Sequence, residues 1–301
     1  MVAEVLDALK PGPGGHYADG TIGGAGHAVS ILTASSPTGW LFGCDRDGIA
    51  IEAAKKRLAE KFAGRFELRR GNFAEMAGWI PAAGCEGVLL DLGVSSPQLD
   101  SPERGFSFQY DGPLDMRMDD RQILTAADLV NGASAEELAK IFWEFGGERE
   151  SRRFAKEIMR DRERQKFETT WQLAGLIERL SPRRGKKAHP ATKVFQALRI
   201  AVNDEMGSLK CGLDAAVKIL KPGGRLAVIT FHSLEDRVVK EFGHERSRGY
   251  TFAGKVDVPE LRESQTPELK WVTRKAIRPG KVELEENPRS RSAQLRVLEK
   301  I

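Results

Sequence analysis

Short apolar runs ending in or beside Asp or Gly recur along the first third of the chain, at 16–19, 40–45, 66–69 and 87–92. Each is too short for a helix and is bounded by polar or Gly-rich residues, so each reads as a strand. Between them, 26–32 and 49–62 repeat their apolar positions at helical spacing. Strand and helix in alternation predict a parallel sheet with helices on its faces. From 106 to about 208 the spacing turns helical throughout. Ser134 and Glu137 form a capping box ahead of a face carrying Leu138, Ile141, Phe142 and Phe145, and Gly146-Gly147 stops that helix. A second helix is predicted over 150–162, and a third, capped by Thr169 or Thr170, runs to Leu180 before Ser181-Pro182. Pro190 fits the first turn of a fourth, which carries Val194, Leu198 and Ala201. The sheet pattern returns after Gly212, with a helix to Leu220, the tight turn Lys221-Pro222-Gly223-Gly224 and a strongly apolar strand at 225–231. Segments 270–277 and 292–299 alternate as closing strands would, with antiparallel pairing open to them. The expectation is an α/β domain made of 1–105 and 209–301, interrupted by a small all-helical insertion over 106–208.

Composition changes this picture little. With 41% hydrophobic and 30% charged residues the chain suits a soluble enzyme, and no apolar run is long enough to cross a bilayer. No basic start followed by an apolar stretch opens the sequence, so the expectation is a cytoplasmic protein. Cys44, Cys85 and Cys211 stand far apart, without the Cys-x-x-Cys spacing of a zinc site, and read as reduced thiols that serve as small core residues. Charge matters more. The net +4 conceals a segment, 148–199, with 15 Lys/Arg against 7 Asp/Glu, a local +8 that leaves −4 for the rest. A positive field concentrated in this way favours docking of a polyanion, and nucleic acid is the natural candidate.

Candidate chemistry begins at Asp19-Gly20-Thr21-Ile22-Gly23-Gly24-Ala25-Gly26-His27, a glycine-rich turn between the first strand and the first helix of the alternation. At the carboxyl edge of such a sheet, backbone amides can face a ligand, although a plain glycine-rich turn has the same composition. Two observations favour the ligand, although an acid at a strand end can also be a helix cap. The dinucleotide fingerprint fails, because Gly24-x-Gly26 is followed by Val29 where a small residue is needed. The second strand ends in Asp45, where a carboxylate can accept both ribose hydroxyls of a nucleoside. A nucleoside cofactor without a pyrophosphate fits both, and S-adenosylmethionine answers that description.

The fourth strand runs into Asp91-Leu92-Gly93-Val94-Ser95-Ser96-Pro97-Gln98. Exocyclic base amines are poor nucleophiles, because the lone pair is delocalised into the ring. Their methylation calls for acceptors that hold the N–H groups in line, and the Asp91 carboxylate, the Ser95 and Ser96 hydroxyls and carbonyls before a proline are of that kind. The general amino-methylase pattern ends in Pro-Pro-Tyr/Phe, whereas Gln98 follows Pro97 here, so a stacking ring must come from elsewhere. Phe106, Phe108 and Tyr110 could stack a flipped base or pack the entry to the insertion, and both readings stand. Phe73 could cover an adenine ring or pack the core, and His232 could serve the site or cap a helix. His27 could touch the cofactor. No His/Cys/carboxylate cluster has metal-ligand spacing, and no Ser-His-Asp constellation sits on a nucleophile turn.

Together these residues resemble the ribosomal RNA small-subunit methyltransferase H family, also called MraW. The resemblance rests on Asp19-Gly20-Thr21 with Gly26-His27, the run 91–100, Glu103-Arg104-Gly105-Phe106-Ser107-Phe108, the run 111–119, His189-Pro190-Ala191-Thr192, the run 231–237, and Asn287-Pro288-Arg289-Ser290-Arg291-Ser292. It implies a Rossmann-like class I methyltransferase sheet with an inserted helical substrate-recognition domain. It also implies N4-methylation of a cytidine in the decoding region of 16S rRNA, within the small ribosomal subunit. By the family's pattern S-adenosylmethionine is held by Ala25, Gly26 and His27, by Asp45 at the ribose, and by Phe73, Asp91 and Gln98 around adenine and methionine. Ala25 stands where the family carries Gly. The RNA gives the basic segment a partner: Arg183, Arg184, Lys186 and Lys187 are expected to contact phosphates, although charge runs are more often solvated loops. A DNA or protein-glutamine amino methyltransferase would share the cofactor loop but not the full motif series, and a non-catalytic assembly factor would bind RNA without methyl transfer. The pattern does not decide between monomer and homodimer.

Overall fold

Strands that alternate their side chains between two faces must cover both faces when the sheet is parallel, and here they do. The computed structural model describes residues 1–182, 189–252 and 257–301. Its chain divides into two compact units, Met1–Gly93 with Met206–Ile301, and Val94–Glu205.

The first unit is built on β1 (His16–Asp19), β2 (Trp40–Asp45), β3 (Phe66–Arg70), β4 (Cys85–Asp91) and β5 (Leu220–Thr230), followed by a small hairpin of β6 (Tyr250–Phe252) and β7 (Arg262–Ser264), then β8 (Leu269–Trp271) and β9 (Gln294–Lys300). Seven of them form one sheet in the order β3-β2-β1-β4-β5-β9-β8. The pairs among β1 to β5 are parallel, and β9 runs antiparallel to both β5 and β8. This is the expected Rossmann-like methyltransferase sheet. Lys221–Gly224, expected as a turn ahead of a strand, is a bulge inside β5, because Leu220 already pairs with Cys85 before Arg225 takes up Gly87.

Period-two burial sorts the core. Tyr17, Leu41, Leu89, Ala227 and Val297 pack on one face against α1 (Val2–Leu9), α2 (Gly26–Ala34) and α3 (Gly48–Phe62). Ala18, Phe42, Val88, Leu90 and Leu298 pack on the other.

The second unit starts at Val94, earlier than the expected 106, because Val94 and Leu99 already belong to its core. It holds α4 (Ser96–Asp100), α5 (Ala126–Gly132), α6 (Ala135–Glu144), α7 (Ser151–Arg162), α8 (Thr170–Leu180) and α9 (Thr192–Val202). The expected capping box at Ser134 forms, and of Thr169 and Thr170 it is Thr169 that caps α8, in a capping box with Gln172. The segment from Phe106 to Leu124, expected to be helical, has no helix. Its amides are taken by tertiary partners instead. Leu114 N–H donates to the Glu168 carbonyl at 2.8 Å, Met118 N–H to Asn203 Oδ1 at 2.7 Å, and Pro113 bridges Thr169. Phe106 is buried there, and Phe108 packs on His189 and Phe195 at centroid distances of 4.5 and 4.8 Å, so both take the packing role, while Tyr110 is 65% exposed.

The remaining helices are α10 (Glu205–Ile219), α11 (Ser233–Ser247) and α12 (Lys281–Glu286). α10 begins before the expected Gly212 and covers the second sheet face with Leu209, Leu213 and Ala216. Cys44 and Cys85 are buried as expected, but Cys211 is exposed on α10, a correction to its reading as a core residue. Among the described residues no helix is long and apolar enough to cross a membrane.

Candidate active site

Where β1 ends, the chain must turn from an extended strand into α2 within a few residues, and glycine makes that turn sterically cheap. Gly23 has φ +47°, and Ala25, the N-cap of α2, takes φ 61° although it carries a methyl group. Nothing lies within 4 Å of where a Cβ would stand on Gly24 or Gly26. The loop is therefore an open cradle.

Asp19 is buried beneath it. Its Oδ1 accepts from Thr21 N–H at 3.1 Å, and Thr21 Oγ1 in turn accepts the Asp91 N–H at 2.7 Å, which ties the end of β1 to the end of β4. Burial pushes the Asp19 carboxyl up to about 6, with His27 and the Thr21 amide pulling down and Asp91 and Asp45 pushing further up. His27, in the first turn of α2, places Nε2 at 3.5 Å from Asp91 Oδ2. Burial opposes a charged ring there, but the hydrogen bond and charge of Asp91, joined by Asp19, hold the imidazolium above its ordinary value. Two buried atoms of this pair, His27 Nδ1 and Asp91 Oδ1, have no partner among the described residues. A buried polar atom without a partner costs free energy unless a ligand or water completes it.

Asp45 ends β2 beside the same loop. Its Oδ2 accepts from Gly23 N–H at 2.9 Å and its Oδ1 from Asp47 N–H at 3.0 Å. Burial raises this carboxyl too, against the pull of those two amides. Phe73 follows β3, half-buried, and its ring lies so close to α10 that a Cβ on Gly212 would meet Cδ2 at 2.2 Å. Gly20 packs against the base of the same side chain, since a Cβ there would reach Phe73 Cβ at 2.8 Å. Ala25, Gly26, His27, Asp45, Phe73 and Asp91 are thus all at one edge of the sheet, at the ends of the strands or in the loops that follow them.

Ser95, Ser96 and Gln98 lie at the opening of the second unit. Ser95 Oγ caps α4 by accepting the Gln98 N–H at 3.4 Å, and Gln98 Oε1 accepts the Ser95 N–H at 3.0 Å, a complete capping box. Ser96 is exposed. His232 likewise caps a helix: its Nδ1 accepts the Glu235 N–H at the start of α11. Arg183, Arg184, Lys186 and Lys187 lie outside the described residues.

Sequence reasoning did not single out Asp19 and Thr21 as site residues, though both stood in the glycine motif, nor Asn72 and Ser208. Asn72 Nδ2 donates to Ser208 Oγ at 3.0 Å, and Arg46 donates to the same hydroxyl, so α10 is fastened to the loops after β2 and β3. A serine on a helix carries no sequence signal for that role.

The comparisons with known proteins agree with this geometry. The chain is 51% identical over 306 aligned residues to "Ribosomal RNA small subunit methyltransferase H" of Geobacter sulfurreducens, covering 100% of this chain and 97% of the relative. It is 50% identical to the protein of the same name from Citrifermentans bemidjiense, over 99% of this chain and 96% of the relative. The identity is 47% to that of Symbiobacterium thermophilum, over 100% and 95%. With a family model described as the MraW methylase family matching residues 1–301, and the glycine cradle, Asp45 and the His27–Asp91 pair in place at one sheet edge, the chain belongs to the MraW methylase family.

Proposed function

We propose that this protein transfers a methyl group from S-adenosylmethionine to N4 of a cytidine in the decoding region of 16S rRNA. The observation that carries the reading is Asp91: it ends β4 beside the open glycine cradle, with Oδ2 on His27 and Oδ1 buried without a partner among the described residues. The residues fit the cofactor. A cationic sulfonium suits an edge lined by Asp19, Asp45 and Asp91, and Gly24 and Gly26 leave the space into which a ligand can settle. Ala25, Gly26 and His27 would hold the methionine end, Asp45 the ribose hydroxyls, and Phe73, Asp91 and Gln98 the adenine and methionine.

S-adenosylmethionine supplies a methyl on positively charged sulfur. The protein's task is to present the amine. Asp91 Oδ1 would accept an amine N–H, fixing the nitrogen's orientation and lending electron density to its lone pair as the C–N bond forms, the methyl–sulfur bond breaks and the amine gives up one proton. Ser96, exposed at the start of α4, is proposed to orient the base, while Ser95 and Gln98 hold that turn rigid through their capping box. Phosphate contacts by Arg183, Arg184, Lys186 and Lys187 and the substrate-recognition role of the helical unit belong to the same proposal.

The test is methyl transfer from labelled cofactor to 30S particles and to free 16S rRNA from cells lacking the enzyme, with the product nucleoside identified by mass spectrometry. Labelled N4-methylcytidine is expected. Label in another nucleoside, in DNA or in protein glutamine would refute the reading.

A further inference from the structure

The same sheet ends at its other side in a concave surface of opposite sign. Lys240 of α11, Arg296 of β9 and Trp271 of β8, with Arg274, Lys275 and Arg278 from the following loop, line a cavity of about 670 Å³. Two of these cations are engaged: Arg296 pairs with Asp236 at 2.6 Å, and Lys240 reaches the same carboxylate at 4.0 Å. The other three are exposed, and among the described residues no hydrogen bond or ion pair engages the side chain of Arg274, Lys275 or Arg278. Three like charges converging on one concavity repel one another, and a multivalent anion relieves that repulsion.

The cavity wall is fixed. A Cβ on Gly243 of α11 would stand 2.2 Å from Trp271 Cζ2, so the indole packs directly on the helix. The His244 ring lies 5.6 Å from it, and the Arg296 guanidinium 5.9 Å. The buried indole N–H has no acceptor among the described residues. Strand register places the cavity. Gln294, which also lines it and opens β9, pairs with Thr230, the last residue of β5. The cavity is therefore at the carboxyl edge of the parallel strands, the edge on which Asp19, Asp45 and Asp91 end β1, β2 and β4. A solvated basic loop would explain the charge but neither the concavity nor the fixed wall.

We propose that this cavity is a docking site for the phosphodiester backbone of the RNA substrate, contributed by the α/β unit itself. The inference rests on the rRNA reading above. Free phosphate shares the chemistry, so the experiment separates the two.

The full-length protein and its Arg274→Gln/Lys275→Gln/Arg278→Gln variant are titrated with free 16S rRNA between 50 and 200 mM salt. Three lost phosphate contacts should reduce the slope of log affinity against log salt by about 2, and affinity at the lowest salt should fall at least tenfold. S-adenosylmethionine affinity and the thermal midpoint should stay at wild-type values. Lys275→Gln alone, which keeps both arginines, should take about 0.7 from the slope and serves if the triple variant folds poorly. Wild-type RNA affinity and slope in both variants would overturn the proposal. Displacement of RNA by millimolar inorganic phosphate at constant ionic strength, with slopes unaltered in the variants, would mark a small-anion site and overturn it equally. A wild-type protein that neither binds nor methylates rRNA fails the functional reading itself, and the docking site falls with it.

Discussion

One edge of one sheet carries two poles. At the ends of β1, β2 and β4 the charged groups are carboxylates, buried or half-buried, with Asp19 and Asp45 held by backbone amides. Beyond β5, the charged side chains that line the cavity beside β9 and β8 are cations, and three of them stand exposed without side-chain partners among the described residues. The difference is one of hydration. A carboxylate taken out of water needs donors already in place, and the turn after β1 supplies them. An exposed cation keeps its water until a polyanion displaces it and its counterions. The acidic pole suits a small cationic cofactor bound in a fixed pose, and the basic pole suits a large anion whose grip depends on the medium.

The sharpest way to break this contrast is Asp91→Ala. It removes the oxygen that has no partner among the described residues, and with it the partner of His27, while leaving the basic pole intact. Methyl transfer to rRNA should fall by about 10²–10³-fold, the range for loss of one preorganised polar group, with RNA affinity kept. A variant that loses RNA affinity in step with activity would mean that the two poles are not separate.

Asp19 tests the burial side of the comparison. Its carboxyl, at about 6 in the folded protein against an ordinary 3.8, binds a proton more tightly when folded. Its contribution is therefore fully present below pH 4 and is lost as pH rises through about 6. The stability of the wild type relative to Asp19→Asn should decline by up to about 3 kcal/mol across that window, read by urea unfolding at each pH. A difference that is flat, or that grows with pH, would mean that the carboxyl is not held in its buried, proton-binding state. Binding of a cationic cofactor should stabilise the ionised form and shrink the decline.

Salt tests both poles at once. Between 50 and 200 mM, rRNA affinity should weaken on the order of a thousandfold for seven phosphate contacts, whereas S-adenosylmethionine affinity should move by less than about twofold, because buried pairs are little screened. Equal salt sensitivity of the two ligands would erase the distinction.

The acidic pole was legible in the sequence to a degree that the basic one was not. Asp45 and the glycine loop announce themselves because strands end where apolar runs end, and β1, β2 and β4 were placed to within a residue or two. The basic cavity joins Lys240, Trp271 and Arg296 from three elements, and no local spacing relates them. The same limit explains the segment from Phe106 to Leu124. Its apolar residues mimic a helical period, but Asn203 takes both the Met116 carbonyl and the Met118 amide, and Arg104 donates to the carbonyls of Arg117 and Met118. Tertiary hydrogen bonds from residues up to 87 positions away override the local pattern. The capping role of Gln98 was hidden for a different reason: a Ser-x-x-Gln capping box and a ligand-binding glutamine look alike in sequence.

The smallest effect is expected at Ala25, inside the acidic pole. At φ 61° its methyl group is in the left-handed region, which costs roughly 1 kcal/mol relative to glycine. The methyl is fully buried in the core under α2, and its removal forfeits about 0.8 kcal/mol of burial. Glycine also adds about 0.4–1 kcal/mol of entropy to the unfolded chain. The terms nearly cancel, so Ala25→Gly should change stability by less than about 1 kcal/mol, with a slight net loss, and leave cofactor affinity unaltered. Urea unfolding and calorimetric titration with S-adenosylmethionine check both. Ala25→Val, with a branched side chain at the same backbone angle, should cost clearly more, because the strain grows with branching and the added carbons enter a fully buried position. If valine is tolerated as well as glycine, the left-handed turn does not hold in solution, and the cradle at this pole is built some other way.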